Sequence, residues 1–228
     1  MEELSRLEAL VGINNLEKIK NLTVLIIGLG GVGGYALESI VRSGIRKIII
    51  VDNDDIDITN LNRQIISLHS NINKSKVDEF EKRTLDINPN IEIKKINKFI
   101  NSENINILFE EKIDYLIDAC DTIETKKAII RECIKRKIKF ISCMGTGKRL
   151  DPTKLEIIDI RKTNYDPIAK IIRKMVREEK IKEKIYTVCS SEQPIKTNSN
   201  VIASNSFVPG VAGLLCTSYI INDAVKEK

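Results

Sequence analysis

The stretch from Thr23 to Ser43 does most to limit how this chain can fold. An apolar run, Thr23 to Ile27, meets the hexapeptide Gly28-Leu29-Gly30-Gly31-Val32-Gly33, and Val32 to Ser43 continues with helical character. A buried strand must therefore turn sharply into a helix. Glycines at 28, 30, 31 and 33 permit that turn and let backbone N–H groups approach a phosphate at the positive helix end. A second apolar strand, Lys47 to Val51, ends at Asp52, 19 residues past Gly33, where an acid can bind ribose hydroxyls. The pair predicts nucleotide binding without choosing NAD over ATP. The competing reading is a glycine turn used only for packing.

Downstream segments extend the same unit. Helix is expected from Leu4 to Lys20, in one or two pieces, and from about Lys74 up to Asn88-Pro89, where proline forbids continuation. Ile91 to Ile96, Tyr115 to Ala119 and Lys139 to Cys143 read as strands, and Ile123 to Lys137 as helix. Strands separated by helices predict an α/β, Rossmann-like, mostly parallel sheet with flanking helices. After Gly145-Thr146-Gly147, expected to turn near the nucleotide, the order becomes strand (155–160), helix (167–179), strand (185–189), loop and terminal helix. The expectation is one domain over 1–228: a nucleotide-binding part, 1–150, and a C-terminal extension, 151–228, that leaves the sheet mixed at one edge.

The segment after the second strand favours ATP. Asn60-Leu61-Asn62-Arg63-Gln64, then Lys76, supply two cations and several amides. Cations there would neutralise a triphosphate and the charge that builds at its α-phosphate. Asp118 and Asp121 follow a strand end, where ligands bind in open α/β sheets. A carboxylate with no His or Cys partner suits a magnesium ion that keeps several waters; a helix N-cap is the alternative.

Charge and cysteine usage narrow the class further. Net charge is +5, and 161–184 alone holds nine Lys or Arg against four Asp or Glu, so one segment carries the basic excess. Within it Asp166 and Pro167 start a helix whose Ile168, Ile171, Ile172, Met175 and Val176 form a buried stripe. Lys170, Arg173, Lys174 and Arg177 fall on the opposite face, a candidate track for a nucleic-acid backbone. Five cysteines, an odd number with no CxxC pair, read as thiols of a reducing, cytoplasmic compartment. Cys189, beside Ser190-Ser191, is the thiol expected to be most exposed; His69 reads as structural. Val201 to Asn222 is free of charge but broken by Pro209, Gly210 and Gly213, which predicts a buried or interface helix and no integral membrane span. Peripheral membrane contact is the other reading of that segment.

As an ordered set, the glycine motif, Asp52, Asn60-x-x-Arg63-Gln64, Lys76 and Asp121 resemble the ThiF/MoeB/ubiquitin-activating superfamily over about residues 4–148. The resemblance implies that Gly30, Asp52, Asn60, Arg63, Gln64 and Lys76 hold ATP and that Asp121 binds Mg2+. It also implies a homodimer in which Arg6 reaches the partner subunit's triphosphate. Met144 to Thr153, Asp159 to Thr163, Asp166-Pro167 and Ser206 to Pro209 are similar to the TcdA/CsdL branch, the tRNA threonylcarbamoyladenosine dehydratases. That branch implies a tRNA substrate carrying threonylcarbamoyladenosine, adenylation of its carboxylate, and cyclisation with loss of water. The alternative within the superfamily is adenylation of the C-terminal glycine of a ubiquitin-like sulfur carrier, with that carrier or a cysteine desulfurase as partner. A third reading, a non-enzymatic NAD-sensing or scaffold module, requires Arg63, Lys76 and Asp121 to point away from one pocket. The missing zinc CxxC pairs and the basic segment lean toward tRNA.

Overall fold

The computed structural model describes residues 2–198 and 201–226. Seven strands form one sheet: β1 (Thr23–Ile27), β2 (Lys47–Val51), β3 (Glu92–Ile96), β4 (Tyr115–Asp118), β5 (Lys139–Cys143), β6 (Leu155–Asp159) and β7 (Tyr186–Ser190). Their order is β3-β2-β1-β4-β5-β7-β6, all parallel except the edge pair β6–β7. Residues 151–228 thus contribute two strands to the sheet that the first half builds.

Side chains alternate across that sheet as strand geometry requires. Val24, Ile26, Ile48 and Ile50 belong to one core, and Leu25, Ile27, Ile49 and Val51 to the other. Helices cover both faces, which is why these strands read as continuous apolar runs. On the first face lie α2 (Ile13–Lys20), α3 (Gly33–Arg42), α4 (Lys76–Ile87) and α7 (Phe207–Val225); on the second, α5 (Ile123–Arg136) and α6 (Pro167–Glu178). A short N-terminal helix, α1 (Ser5–Val11), precedes them.

By length and composition α7 could cross a membrane. Here it is a core helix, burying Val208, Ala212, Cys216 and Ile220. Its contact with α3 is close enough that a side-chain carbon on Gly213 would overlap the Val32 carbonyl oxygen. At its far end Asp223 accepts from Tyr115 Oη at 2.7 Å and pairs with Lys139 at 2.6 Å, fixing α7 to the starts of β4 and β5.

Candidate active site

The strand order reverses between β1 and β4, and at their C-terminal ends lies a cavity of about 1010 Å³. Gly28, Gly30 and Gly31 line it, as do Asp52, Asn60, Arg63, Gln64, Lys76 and Asp121. Gly145, Thr146 and Gly147 form another part of the wall. Arg63, Lys76 and Asp121 therefore share one cavity, the opposite of what a scaffold reading requires.

The glycines divide by cause. Gly28 has φ +85°, and a β-carbon there would come 2.7 Å from the Ala119 carbonyl oxygen. On Gly33 a β-carbon would overlap the carbonyl oxygen of Gly28. Packing alone demands these two. Gly30 differs, because its β-carbon would meet only Gln64 Nε2, at 3.7 Å. Nothing in the protein forbids a side chain there, so what Gly30 preserves is cavity space.

Asp52 joins the second strand to the glycine turn. Its carboxylate accepts from the Leu29 amide at 2.6 Å and from the Asp54 amide at 2.9 Å. Burial pushes its pKa up, with the Lys76 ammonium opposing. Lys76 opens α4 with a buried side chain whose Nζ lies 2.8 Å from Asp54 and 3.9 Å from Asp52. The backbone fixes this arrangement: Lys76 N donates to Asp54 O at 3.1 Å and Ile56 N to Lys74 O at 2.9 Å.

Asn60 Oδ1 accepts from Asp57 N at 3.1 Å to close a short 3-10 turn, and its Nδ2 donors, on a residue that lines the cavity, have no partner among the described residues. Gln64 is buried, and its Oε1 has no partner among the described residues. An orphaned buried acceptor costs roughly 1–3 kcal/mol, so this one marks a place for a ligand or water donor. Arg63 uses Nη1 on Thr59 O, at 2.8 Å, and Asn62 Oδ1, at 3.1 Å. Its Nε and Nη2 donors have no partner among the described residues.

The two aspartates after β4 part company. Asp121 is exposed and has neither ion pair nor hydrogen bond among the described residues. Asp118 is fully buried, 2.8 Å from Lys126 Nζ and 2.6 Å from Ser142 Oγ. Burial opposes the Lys126 charge, but Asp118 outweighs it and holds the ammonium above its ordinary pKa. Asp118 therefore neither caps a helix nor faces a metal; the N-cap position of α5 is Thr122, with no side-chain bond. This buried pair is invisible in the sequence, because Lys126 looks like any helical lysine until β5 is placed beside β4.

Other expected residues lie elsewhere. Arg6 is exposed on α1, outside the cavity. On α6, Lys170, Lys174 and Arg177 are exposed, whereas Arg173 departs from the expected solvent face: half-buried, it donates to the Thr163 carbonyl and hydroxyl. Asp166 caps α6 by accepting from Ala169 N at 2.7 Å; of the expected stripe Ile172, Met175 and Val176 are buried, while Ile168 and Ile171 are half-buried. The expected exposure of Cys189 is overturned. It is 3% exposed in the core under α6, and burial, with Asp166 nearby, pushes its thiol pKa up to about 12. His69 is exposed in a short 3-10 turn.

A nucleotide-sized cavity at the switch point, with a glycine cradle, two cations and an unpaired carboxylate, defines a nucleotide-binding α/β domain. The chain belongs to the ThiF family, whose model matches residues 4–217. It is 40% identical to the tRNA threonylcarbamoyladenosine dehydratase of Bacillus subtilis strain 168, over all of this chain and 96% of that one. Two crystal structures of Escherichia coli tRNA N6-threonylcarbamoyladenosine dehydratase, TcdA, match the fold over 98% of this chain. The complex with AMP gives a TM-score of 0.93 at 28% identity over 94% of its chain. The complex with ATP gives 0.92 at 27% over 93%.

Proposed function

We propose that this chain is an ATP-dependent dehydratase acting on threonylcarbamoyladenosine in tRNA through an acyl-adenylate. The observation that carries this reading is the cavity, with its glycine cradle, Arg63, Lys76 and unpaired Asp121, in a chain matched end to end by such a dehydratase. A carboxylate is a poor electrophile; exchanging its oxide for AMP as leaving group is what ATP supplies. Amides of the glycine turn hold phosphate oxygens, while Arg63 and Lys76 stabilise the charge that grows as pyrophosphate departs. Asp52 and Gln64 orient the nucleoside end.

Magnesium fits Asp121. No group of three His, Cys, Asp or Glu side chains is gathered to hold a metal among the described residues. One unpaired carboxylate, substrate phosphates and water are what this ion commonly takes. When bound it neutralises phosphate charge. Asp121→Asn keeps the shape and loses the charge, so activity should fall and saturate only at far higher magnesium. A magnesium titration that matches wild type would remove Asp121 from the metal site.

Activation of a sulfur carrier is the less favoured alternative. CxxC pairs are missing from the sequence, and the cavity-wall thiol of Cys120 is pushed well above its ordinary pKa by burial and by Asp118. Such a thiol is not an activated nucleophile. Arg6, outside its own chain's cavity, would reach a triphosphate from the partner subunit, so the reading includes a homodimer.

Transfer RNA would lie along α6, where Lys170, Lys174 and Arg177 are exposed and Ile168 reaches the cavity wall. For Lys170→Ala/Arg177→Ala, tRNA affinity should fall and its salt slope shrink by ~0.7–0.9 per lost phosphate contact, with ATP binding unchanged. A wild-type slope would return this face to a solubility role. The direct test of function is mass spectrometry of tRNA nucleosides after incubation with ATP and this protein. Loss of one water from threonylcarbamoyladenosine, with release of AMP and pyrophosphate, is expected; an unchanged nucleoside would sink the reading.

A further inference from the structure

The wall that follows β5 stands two strands away from the glycine turn, yet its backbone is closely anchored. Met144 N donates to Val188 O at 2.9 Å, tying the segment to β7. A β-carbon on Gly145 would come 2.7 Å from Asp166 Oδ2, so the cap of α6 presses directly on this backbone. Lys148 is held at φ +58°, a costly conformation for a residue with a side chain. Two bonds hold it there, Lys148 N to Ala203 O at 2.8 Å and Ile195 N to Lys148 O at 2.9 Å. Between these anchors, the Thr146 amide, the Gly147 amide and the Thr146 hydroxyl have no partner among the described residues, and both residues line the cavity. Loop amides left unpaired on a cavity wall are taken up by water or by a ligand.

Position says which ligand. Strand β4 separates β1 from β5, so this wall stands two strand spacings, about 10 Å, from the glycine turn that follows β1. That is the far side of the cavity from the phosphate cradle, where the group to be activated must enter. Three donors on two adjacent residues can converge on a single oxygen, which suits one oxygen of a carboxylate.

We infer that the Thr146 hydroxyl and the Thr146 and Gly147 amides hold the acyl oxygen of the substrate carboxylate through both chemical steps. The inference rests on the dehydratase reading. In the first step one carboxylate oxygen attacks the α-phosphorus and pyrophosphate leaves; the other oxygen stays in this site. In the second, the carbamoyl group adds to the acyl carbon and gives its proton to solvent. AMP then leaves with the first oxygen, which is the oxygen of the lost water. Negative charge gathers on the held oxygen as the ring closes, so the three donors stabilise that transition state more than the ground state.

The test compares Thr146→Val, which keeps shape and deletes the hydroxyl, with Thr146→Ala and Thr146→Ser. Dehydration of modified tRNA is measured at saturating ATP, with ATP affinity and melting temperature alongside. The valine and alanine variants should lose ~10²-fold in kcat, the scale of one oxyanion donor, with wild-type ATP affinity and melting. Serine should recover most of the loss, which a purely structural threonine would not explain. A valine variant as fast as wild type overturns this assignment alone. If the wild-type chain yields no dehydrated nucleoside, the dehydratase reading fails and the assignment with it.

Discussion

Replacing Lys76 or Arg63 with alanine is expected to lower ATP-dependent turnover by ~10²–10³ each, with melting close to wild type. The two should fail in different ways. The Lys76 ammonium sits between Asp54 and Asp52 with little exposure of its own, so it already cancels carboxylate charge on the cavity wall. Its loss removes a phosphate contact and also leaves two acids to repel the triphosphate, so ATP affinity should drop along with kcat. Asp54 is well exposed and regains water, and the buried Asp52 keeps its bonds from the Leu29 and Asp54 amides, which limits the cost to folding. Arg63 is pinned by Nη1 to its own loop while Nε and Nη2 stay available. Its loss exposes no buried charge, so the effect should fall mainly on kcat. Near-normal turnover in both variants would remove the ATP assignment from this cavity.

The contrast between these residues also shows what the sequence could disclose. Strands β1, β2, β4 and β5 are legible because burial on both faces leaves unbroken apolar runs, and the end of α4 is legible because Asn88-Pro89 cannot continue a helix. Arg63, Lys76 and Asp121 are legible as a set because their order, with the glycine motif and Asp52, resembles that of the superfamily. Residues whose role depends on a distant partner are not. Asp118 and Asp121 look alike in the chain, and only Lys126 and Ser142, brought in with α5 and β5, bury the first and leave the second free. Cys189 beside two serines reads as a strand end near solvent, but α6 closes over it. Helical spacing places Arg173 with its basic neighbours, yet the Thr163 turn, ten residues upstream, folds back to take its guanidinium. Periodicity reports the face of an element and is silent about the loop that crosses it.

Packing and binding make separate demands on the glycine turn, and alanine should separate them. Gly33→Ala places a β-carbon onto the carbonyl oxygen of Gly28, which is itself locked at φ +85° against the Ala119–Cys120 backbone. No side-chain rotation relieves a clash between backbone atoms, so the turn, the start of α3 and the end of β4 must move together. A cost of at least ~3 kcal/mol is expected, the upper end of ordinary overpacking. For a chain of 228 residues that corresponds to a melting temperature lower by about 6–12 °C. Gly30→Ala meets only Gln64 Nε2 at 3.7 Å, an ordinary contact, so melting should stay within about 0.5 kcal/mol of wild type. Its methyl group instead occupies space where phosphate must approach the backbone, and ATP affinity should fall steeply. Thermal unfolding and ATP titration of the two variants decide the matter. Equal loss of stability in both, with ATP affinity preserved in Gly30→Ala, would make the whole turn a packing device and leave the nucleotide without its cradle.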